Sequence, residues 1–306
     1  MTTPLAMWVQ ARLAMQKGDV AEAAKYYAAA SKAFPPSGDT NISDEGAKAL
    51  LVGENSVLTL SRGEYVDALE QLYPYAATFG GDVAYIAERV LTVDELKTFV
   101  DTHKDAQFHP TVSLDNLSTP PTPSTNPDEQ SASDSGDSNN GQRPTDWLPY
   151  LLARRLVRAG RYHEALNYVS QPTAQATPAP PADFISRYVR ALDDAKIATS
   201  NVDRARAWYR AAALAGSFET GPKIMGTAGQ PDYMGDPIGG GVGPYTLTKG
   251  QFVTDGEYKR YEASAAKPDF RYHYLFVGVD NALRAAALLP PRSQAYAAVC
   301  ATRRDG

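Results

Sequence analysis

A spacing of glycine, aromatic and alanine residues recurs in this chain within segments of helical periodicity. The first copy consists of Gly18, Val20, Ala23, Tyr27, Ala30 and Pro35. Later copies consist of Gly63, Tyr65, Ala68 and Leu72; of Gly160, Tyr162, Ala165 and Val169; and of Ser200, Val202, Ala205, Tyr209 and Ala212. A small residue lets two helix axes approach to about 8–10 Å, and a glycine accepts the backbone conformation of a tight turn. The spacing therefore predicts repeated helical hairpins.

The segments around these copies favour helix over sheet. Apolar residues recur at intervals of three and four through residues 5–34, 47–100, 147–170, 183–215 and 280–300. The same segments are rich in strong helix formers, and alternating strand patterns are scarce. The sequence therefore predicts an all-α protein.

The recurring spacing resembles the second half of a tetratricopeptide (TPR) repeat. Ala11 and Ala153 match the small position of the preceding helix, seven residues before Gly18 and Gly160. The pattern positions 18, 63, 160 and 200 are 45, 97 and 40 residues apart, whereas TPR units repeat about every 34 residues. The resemblance covers residues 5–35, 47–80, 147–172 and 183–215, about half the chain. It implies an irregular TPR-like α-hairpin solenoid, in which each hairpin buries its apolar face against its neighbours.

One long segment cannot contribute to a core. Residues 118–146 contain no Val, Leu, Ile, Met, Cys or aromatic residue, so burial cannot offset the entropy lost on ordering them. We expect a disordered Ser/Thr/Pro/Asp-rich linker over residues 110–146, between N-terminal hairpins in residues 1–109 and C-terminal hairpins in residues 147–306. A tolerated surface insertion and a partner-binding or phosphorylated segment both fit this composition.

A glycine-rich insertion over residues 216–256 interrupts the C-terminal hairpins. Residues 245–248 and 251–254 read as two short strands and predict a β-hairpin. Thr254 followed by Glu257 is a capping box and predicts the start of a helix that ends at Pro268. Either the insertion closes over a ligand or partner, or it is a long loop packed on the hairpins.

Composition and motifs argue against several classes of function. The 30 Lys and Arg residues against 35 Asp and Glu residues give a formal net charge of −5, which disfavours nucleic-acid binding. His163-Glu164 begins a zinc-protease motif, but Asn167 stands where the second histidine is needed. The glycine run at 239–243 lacks the strand and the Lys-Ser/Thr ending of a phosphate loop. We therefore predict no catalytic residue, metal or cofactor.

The sequence says less about compartment and completeness. The chain has one cysteine, so no intramolecular disulfide holds it together. We expect no membrane-spanning helix and find no signal-peptide pattern at the amino terminus. A cytoplasmic protein is the default expectation, with a periplasmic or secreted one if a leader has been removed. Residues 293–304 read as a first helix without a partner helix, which predicts either a cap or part of a longer chain or assembly.

The resemblance also implies a function. The concave face of a TPR-like array is lined by first-helix residues and binds peptides or proteins. The matching positions are Trp8, Arg12, Gln16, Tyr150, Arg154, Arg158, Arg187 and Arg190. Because guanidinium groups pair with carboxylates, the predicted partner is an acidic protein or peptide. The resemblance thus predicts a non-enzymatic interaction scaffold. The alternatives are a carbohydrate-binding or carbohydrate-processing helical toroid, suggested by 18 tyrosines and long loops, and a purely structural subunit of an assembly.

Overall fold

The structure is a computed structural model that describes residues 3–33, 42–103, 144–169, 181–226, 247–250, 252–270 and 272–301. These residues form fourteen α-helices and no strand, which confirms the all-α prediction. The helices are α1 (Pro4–Lys17), α2 (Val20–Ala33), α3 (Ile42–Ser61), α4 (Tyr65–Leu72), α5 (Ala76–Tyr85), α6 (Val93–Thr102), α7 (Pro144–Arg158), α8 (Tyr162–Ala165), α9 (Pro181–Ile197), α10 (Asn201–Ala215), α11 (Gly221–Met225), α12 (Asp255–Ala263), α13 (His273–Ala287) and α14 (Gln294–Ala301).

The three pattern glycines make the same kind of turn. Gly18, Gly63 and Gly160 have φ angles of 79°, 80° and 74°, in the left-handed region that disfavours a Cβ atom. In each case the next helix begins two residues later, and the helices on either side, α1 and α2, α3 and α4, and α7 and α8, contact each other. The glycines therefore end one helix and reverse the chain into the next.

The pattern alanines are buried. Ala23, Ala68 and Ala165 are all 0% exposed. Ala23 belongs to a core cluster that also contains Ala11 of α1 and Leu51 of α3. The small residue of the first copy therefore lies where its own hairpin meets the next helix.

The fourth copy turns differently. Ser200 has a φ angle of −92° and is the N-cap of α10, and its hydroxyl accepts a hydrogen bond from the Asp203 amide at 3.0 Å. A side-chain cap thus begins the helix here, where the other copies use a glycine to end the preceding one.

The chain divides into two compact units. Unit 1 comprises Met1–Phe99 and Thr246–Ala265, and unit 2 comprises Val100–Tyr245 and Ala266–Gly306. The predicted linker lies outside the described residues up to position 143, and α7 already begins at Pro144. Most of the predicted β-hairpin also lies within or beside gaps in the described chain, and its described residues, 247–248 and 252–254, form no strand.

Helix α12 belongs to unit 1, although the sequence prediction placed it with the C-terminal hairpins. The Arg89 guanidinium donates to the Ser264 hydroxyl at 2.9 Å and to the Tyr261 carbonyl at 3.0 Å, and it lies 3.9 Å from the centre of the Tyr261 ring. Arg260 pairs with Glu95. These contacts join residues more than 160 positions apart in sequence, so local pattern does not reveal them.

The start of α12 follows the capping prediction in part. The Thr254 hydroxyl accepts a hydrogen bond from the Glu257 amide at 3.2 Å, and α12 begins at Asp255. The Glu257 carboxylate accepts a hydrogen bond from the Tyr85 hydroxyl at 2.8 Å, and the helix ends at Ala263, before Pro268. Glu257 is therefore used to hold α12 on α5.

Candidate functional site

The predicted first-helix face of unit 1 is organised around Glu54 of α3. Its carboxylate accepts hydrogen bonds from the Trp8 indole at 2.7 Å, the Tyr27 hydroxyl at 2.7 Å and the Arg12 Nε at 2.9 Å. The Arg12 guanidinium also lies 5.2 Å from the Trp8 ring centre. Two side chains of α1 and one of α2 therefore converge on a single residue of α3.

These hydrogen bonds hold Glu54 in its charged form. Burial raises the pKa of Glu54, but hydrogen bonds from Arg12, Trp8 and Tyr27 outweigh burial, and the net pKa lies below the ordinary value. Burial, with the hydrogen bond to Glu54, raises the pKa of Tyr27. The positive charge of Arg12 is thus balanced within the protein, a pairing that the sequence prediction did not include.

An exposed apolar stripe runs along α1 beside this network. Leu5, Val9 and Leu13 are 62%, 48% and 43% exposed. Residues four apart in a helix lie one above the other, so the three side chains form a continuous row. Gln16 is also exposed, and its position on the helix places it beside the same row. The face therefore offers apolar contact area next to an ordered polar group.

In unit 2, the predicted residues Tyr150 and Arg154 contact other parts of the protein, and Arg154 is buried. Arg154 is 1% exposed, and its guanidinium lies 4.5 Å from the Tyr150 ring centre. The Tyr150 hydroxyl donates a hydrogen bond to the Lys223 carbonyl. An arginine assigned by the pattern to a solvent-facing surface is therefore part of the core.

The short helix α11 covers this part of unit 2. It contacts α7 and α9, and its Ile224 and Met225 are 0% and 3% exposed. Arg158 donates a hydrogen bond from Nη1 to the Met225 carbonyl at 2.6 Å. The sequence prediction missed α11 because glycines surround it. Its local signal was Pro222, a residue favoured in the first turn of a helix.

The remaining predicted residues, Arg187 and Arg190, are exposed on α9. The Arg187 guanidinium lies 5.7 Å from the Phe184 ring centre, and the Lys223 ammonium lies 5.2 Å from the same ring. The structure therefore separates the eight predicted residues into an exposed or half-exposed set on α1, a set that contacts α11 or the core, and two exposed arginines.

A buried histidine lies close to this region. His273 is 2% exposed at the start of α13. Burial, together with the charge of Arg158, lowers the pKa of His273 to about 3, against an opposing influence of the Phe270 carbonyl. The imidazole is therefore neutral near pH 7, as expected for a histidine that is almost fully buried beside a positive charge.

A cavity of about 480 Å³ lies elsewhere in unit 2, between α10, α13 and α14. Its lining consists of Tyr209, Ala212, Ala213, Gly216, Ser217, Leu275, Phe276, Gly278, Val279, Ala282, Leu283, Ala286, Val299 and Cys300. No local sequence pattern marks this cavity, because its walls come from three helices spread over more than 90 residues.

The described residues show neither a metal site nor a membrane-spanning helix. No group of three His, Cys, Asp or Glu side chains there is arranged to hold a metal ion. None of the helices in the same residues combines the length and apolar character needed to cross a bilayer. Comparisons with protein-family models, curated proteins and solved structures found no match for this chain.

Proposed function

We propose that the protein is a non-enzymatic interaction scaffold of TPR-like helical hairpins, which binds a peptide or protein partner on the face formed by α1 and α3. The observation that carries the proposal is the exposed row Leu5, Val9 and Leu13 beside the Glu54 network. Exposed apolar area with an ordered polar group at its edge is the chemistry of an interaction surface.

The order of the helices supports a TPR-like arrangement. Helix α2 contacts both α1 and α3, and α3 contacts α4. Each helix therefore packs against its neighbours in sequence, as expected when one hairpin buries its apolar face against the next. In such an array α1 and α3 are the first helices of adjacent hairpins.

The chemistry of the face favours an amphipathic partner segment. Its apolar side chains would cover the row on α1, as a helix bound in a groove places anchors three and four residues apart. An acidic group of the partner would meet Arg12, whose side chain is 61% exposed although it also pairs with Glu54. Trp8, held by its indole hydrogen bond, would act as a rigid aromatic contact.

The predicted residues of unit 2 have different roles in the proposal. Arg187 and Arg190 are exposed and remain candidates for contact with an acidic partner. We assign Tyr150 and Arg158 to holding α7 and α11 together, because both donate hydrogen bonds to backbone carbonyls of α11. Arg154 is buried beside Tyr150 on α7 and is assigned to the core.

The experiment compares partner binding by two surface variants. The wild-type protein is first used to capture and crosslink a partner. The affinity of that partner is then measured for two variants of the protein, Val9→Glu and Ile197→Glu. Both positions are exposed, at 48% and 76%, so neither change should lower the melting temperature. We expect Val9→Glu to weaken binding at least tenfold and Ile197→Glu to leave it unchanged. Equal affinities for the two variants would remove α1 from the proposal.

A further inference from the structure

The cavity of about 480 Å³ in unit 2 lies beside a close crossing of α10 and α13. A Cβ atom added to Gly278 of α13 would lie 2.5 Å from the Gly216 Cα atom, at the end of α10. The two backbones therefore touch, and the adjacent positions Ala212 and Ala282 carry only methyl groups. Since these small side chains cannot fill the space beside the crossing, a recess with an alanine and glycine floor remains.

The recess is elongated. Its lining residues on α13 run from Leu275 to Ala286, which corresponds to about 16 Å at the helical rise of about 1.5 Å per residue. Its volume is about three times that of an apolar cavity of roughly 150 Å³ that binds benzene. A long, narrow ligand fits this shape better than a compact one.

The lining is apolar and uncharged. Among the described residues that line the cavity, none is Asp, Glu, Lys or Arg, and the hydroxyl- or thiol-bearing side chains are Tyr209, Ser217 and Cys300. Phe276 and Leu283 on α13 are 50% and 51% exposed, so the apolar surface continues from the cavity to solvent. A charged group inside the cavity would lose its hydration without gaining an ionic partner.

We propose that this cavity is a binding site for the aliphatic chain of a small, single-chain amphiphile, with the chain lying along α13 and its polar head group toward solvent. Length, volume and the absence of charge among the lining residues all select this class. The site lies on different helices from the partner face of α1 and α3, and the inference does not depend on that proposal.

Cys300 provides a direct test, because it is the single cysteine of the chain, is exposed and lines the cavity. The rate of its alkylation by iodoacetamide is measured in the full chain with increasing n-decanol. We expect saturable protection that slows alkylation at least tenfold. In a series from hexanol to decanol, the half-protecting concentration should fall with each methylene, by up to about fourfold, which is the factor equivalent to about 0.8 kcal/mol.

Two alanine-to-phenylalanine variants test whether decanol protects Cys300 by binding in this cavity. Ala213 and Ala287 are both exposed, but only Ala213 lines the cavity. We expect Ala213→Phe to abolish protection by decanol and Ala287→Phe to retain it, with each rate compared to that of the same variant without alcohol. Melting temperatures check that both variants are folded.

Four results would overturn the proposal, and the last of them concerns the protein without alcohol. The first is an alkylation rate that decanol does not change. The second is protection that never saturates or does not depend on chain length, which indicates a general solvent effect. The third is equal protection in Ala213→Phe and wild type. If alkylation without alcohol already slows as protein concentration rises, the cavity is covered by a second copy of the chain, and the small-ligand assignment is also wrong.

Discussion

At the residue scale, the buried Arg154 leads to a stability prediction. Its side chain is 1% exposed and packs 4.5 Å from the Tyr150 ring centre. Arg154→Ala removes a long side chain from a closely packed region, and we expect it to lower the free energy of unfolding by about 2–4 kcal/mol. Arg190→Ala changes an exposed arginine of α9, and its effect should stay within about 0.5 kcal/mol. Urea titrations check both values, and similar midpoints for the two variants would contradict the prediction.

Glu95 leads to a prediction of pH dependence. The hydrogen bond from Arg260, with smaller help from Thr92, lowers the pKa of Glu95 to about 2, although burial opposes the shift. Because the folded-state pKa lies below the ordinary value of 4.5, the stabilisation is complete above pH 4.5 and is lost as pH falls toward 2. The two side chains are 30% and 31% exposed, so solvent screening limits this contribution to the order of 2 kcal/mol.

The Glu95→Gln variant tests that assignment. We expect it to lower the free energy of unfolding at pH 7 by the same order, about 2 kcal/mol. At pH 2 folded wild-type Glu95 is about half protonated and most of the stabilisation is already lost, so the effect there should be small. Glu262→Gln on α12 is the control, since Glu262 is exposed and should change stability little at either pH. A destabilisation of Glu95→Gln that is the same at both pH values would show that lost packing, and not charge, is responsible.

At the element scale, two glycine substitutions distinguish the effect of backbone strain at a hairpin turn from the effect of side-chain packing. Gly160 and Gly81 both have open space where a Cβ atom would be placed, but only Gly160 has a left-handed φ angle. Gly160→Ala should therefore cost about 1–2 kcal/mol, whereas Gly81→Ala, within α5, should stabilise by about 0.5–1 kcal/mol. Thermal unfolding of the two variants shows whether each change raises or lowers the stability of the protein. If both changes destabilise the protein, φ is not the deciding variable.

The same turns show what local sequence can predict. The glycine-to-alanine spacing identified Gly18, Gly63 and Gly160 as turns and Ala23 as a contact between helices, because hairpin geometry requires a positive φ at one position and a small side chain at the other. The spacing could not distinguish Ser200, since serine begins a helix through its hydroxyl instead of ending one through its φ angle. Although Ser200 matches the pattern, the turn at this position is therefore of a different kind.

The candidate face on α1 was only partly predictable. The TPR-like register selected Trp8 and Arg12, and both lie on one network. It could not select Glu54 as their shared acceptor, because that requires knowing which residue of α3 faces α1. It also placed Arg154 on a binding surface, since helical periodicity does not show that α11 covers part of α7.

At the scale of the whole molecule, unit 1 is completed by residues far along the chain. Arg89 is 5% exposed and contacts Tyr261 and Ser264, which follow it by more than 170 positions. Such pairing depends on the tertiary fold and leaves no periodic signal in either segment. The composition of the residues between them suggested a domain boundary. Side-chain contacts between the two flanking segments, however, determine that α12 belongs to unit 1.

Replacing Arg89 by Met tests this assignment by hydrogen exchange. The change removes the donors to Ser264 and Tyr261, and contiguous units open cooperatively. We expect exchange to accelerate at least tenfold in α12 and also in α5, while α9 and α10 of unit 2 keep their protection. Arg206→Met, at a side chain that is 67% exposed, should leave all four helices unchanged. Faster exchange in α9 and α10 equal to that in α12 would show that Arg89 stabilises the molecule as a whole, and the assignment of α12 to unit 1 would fail.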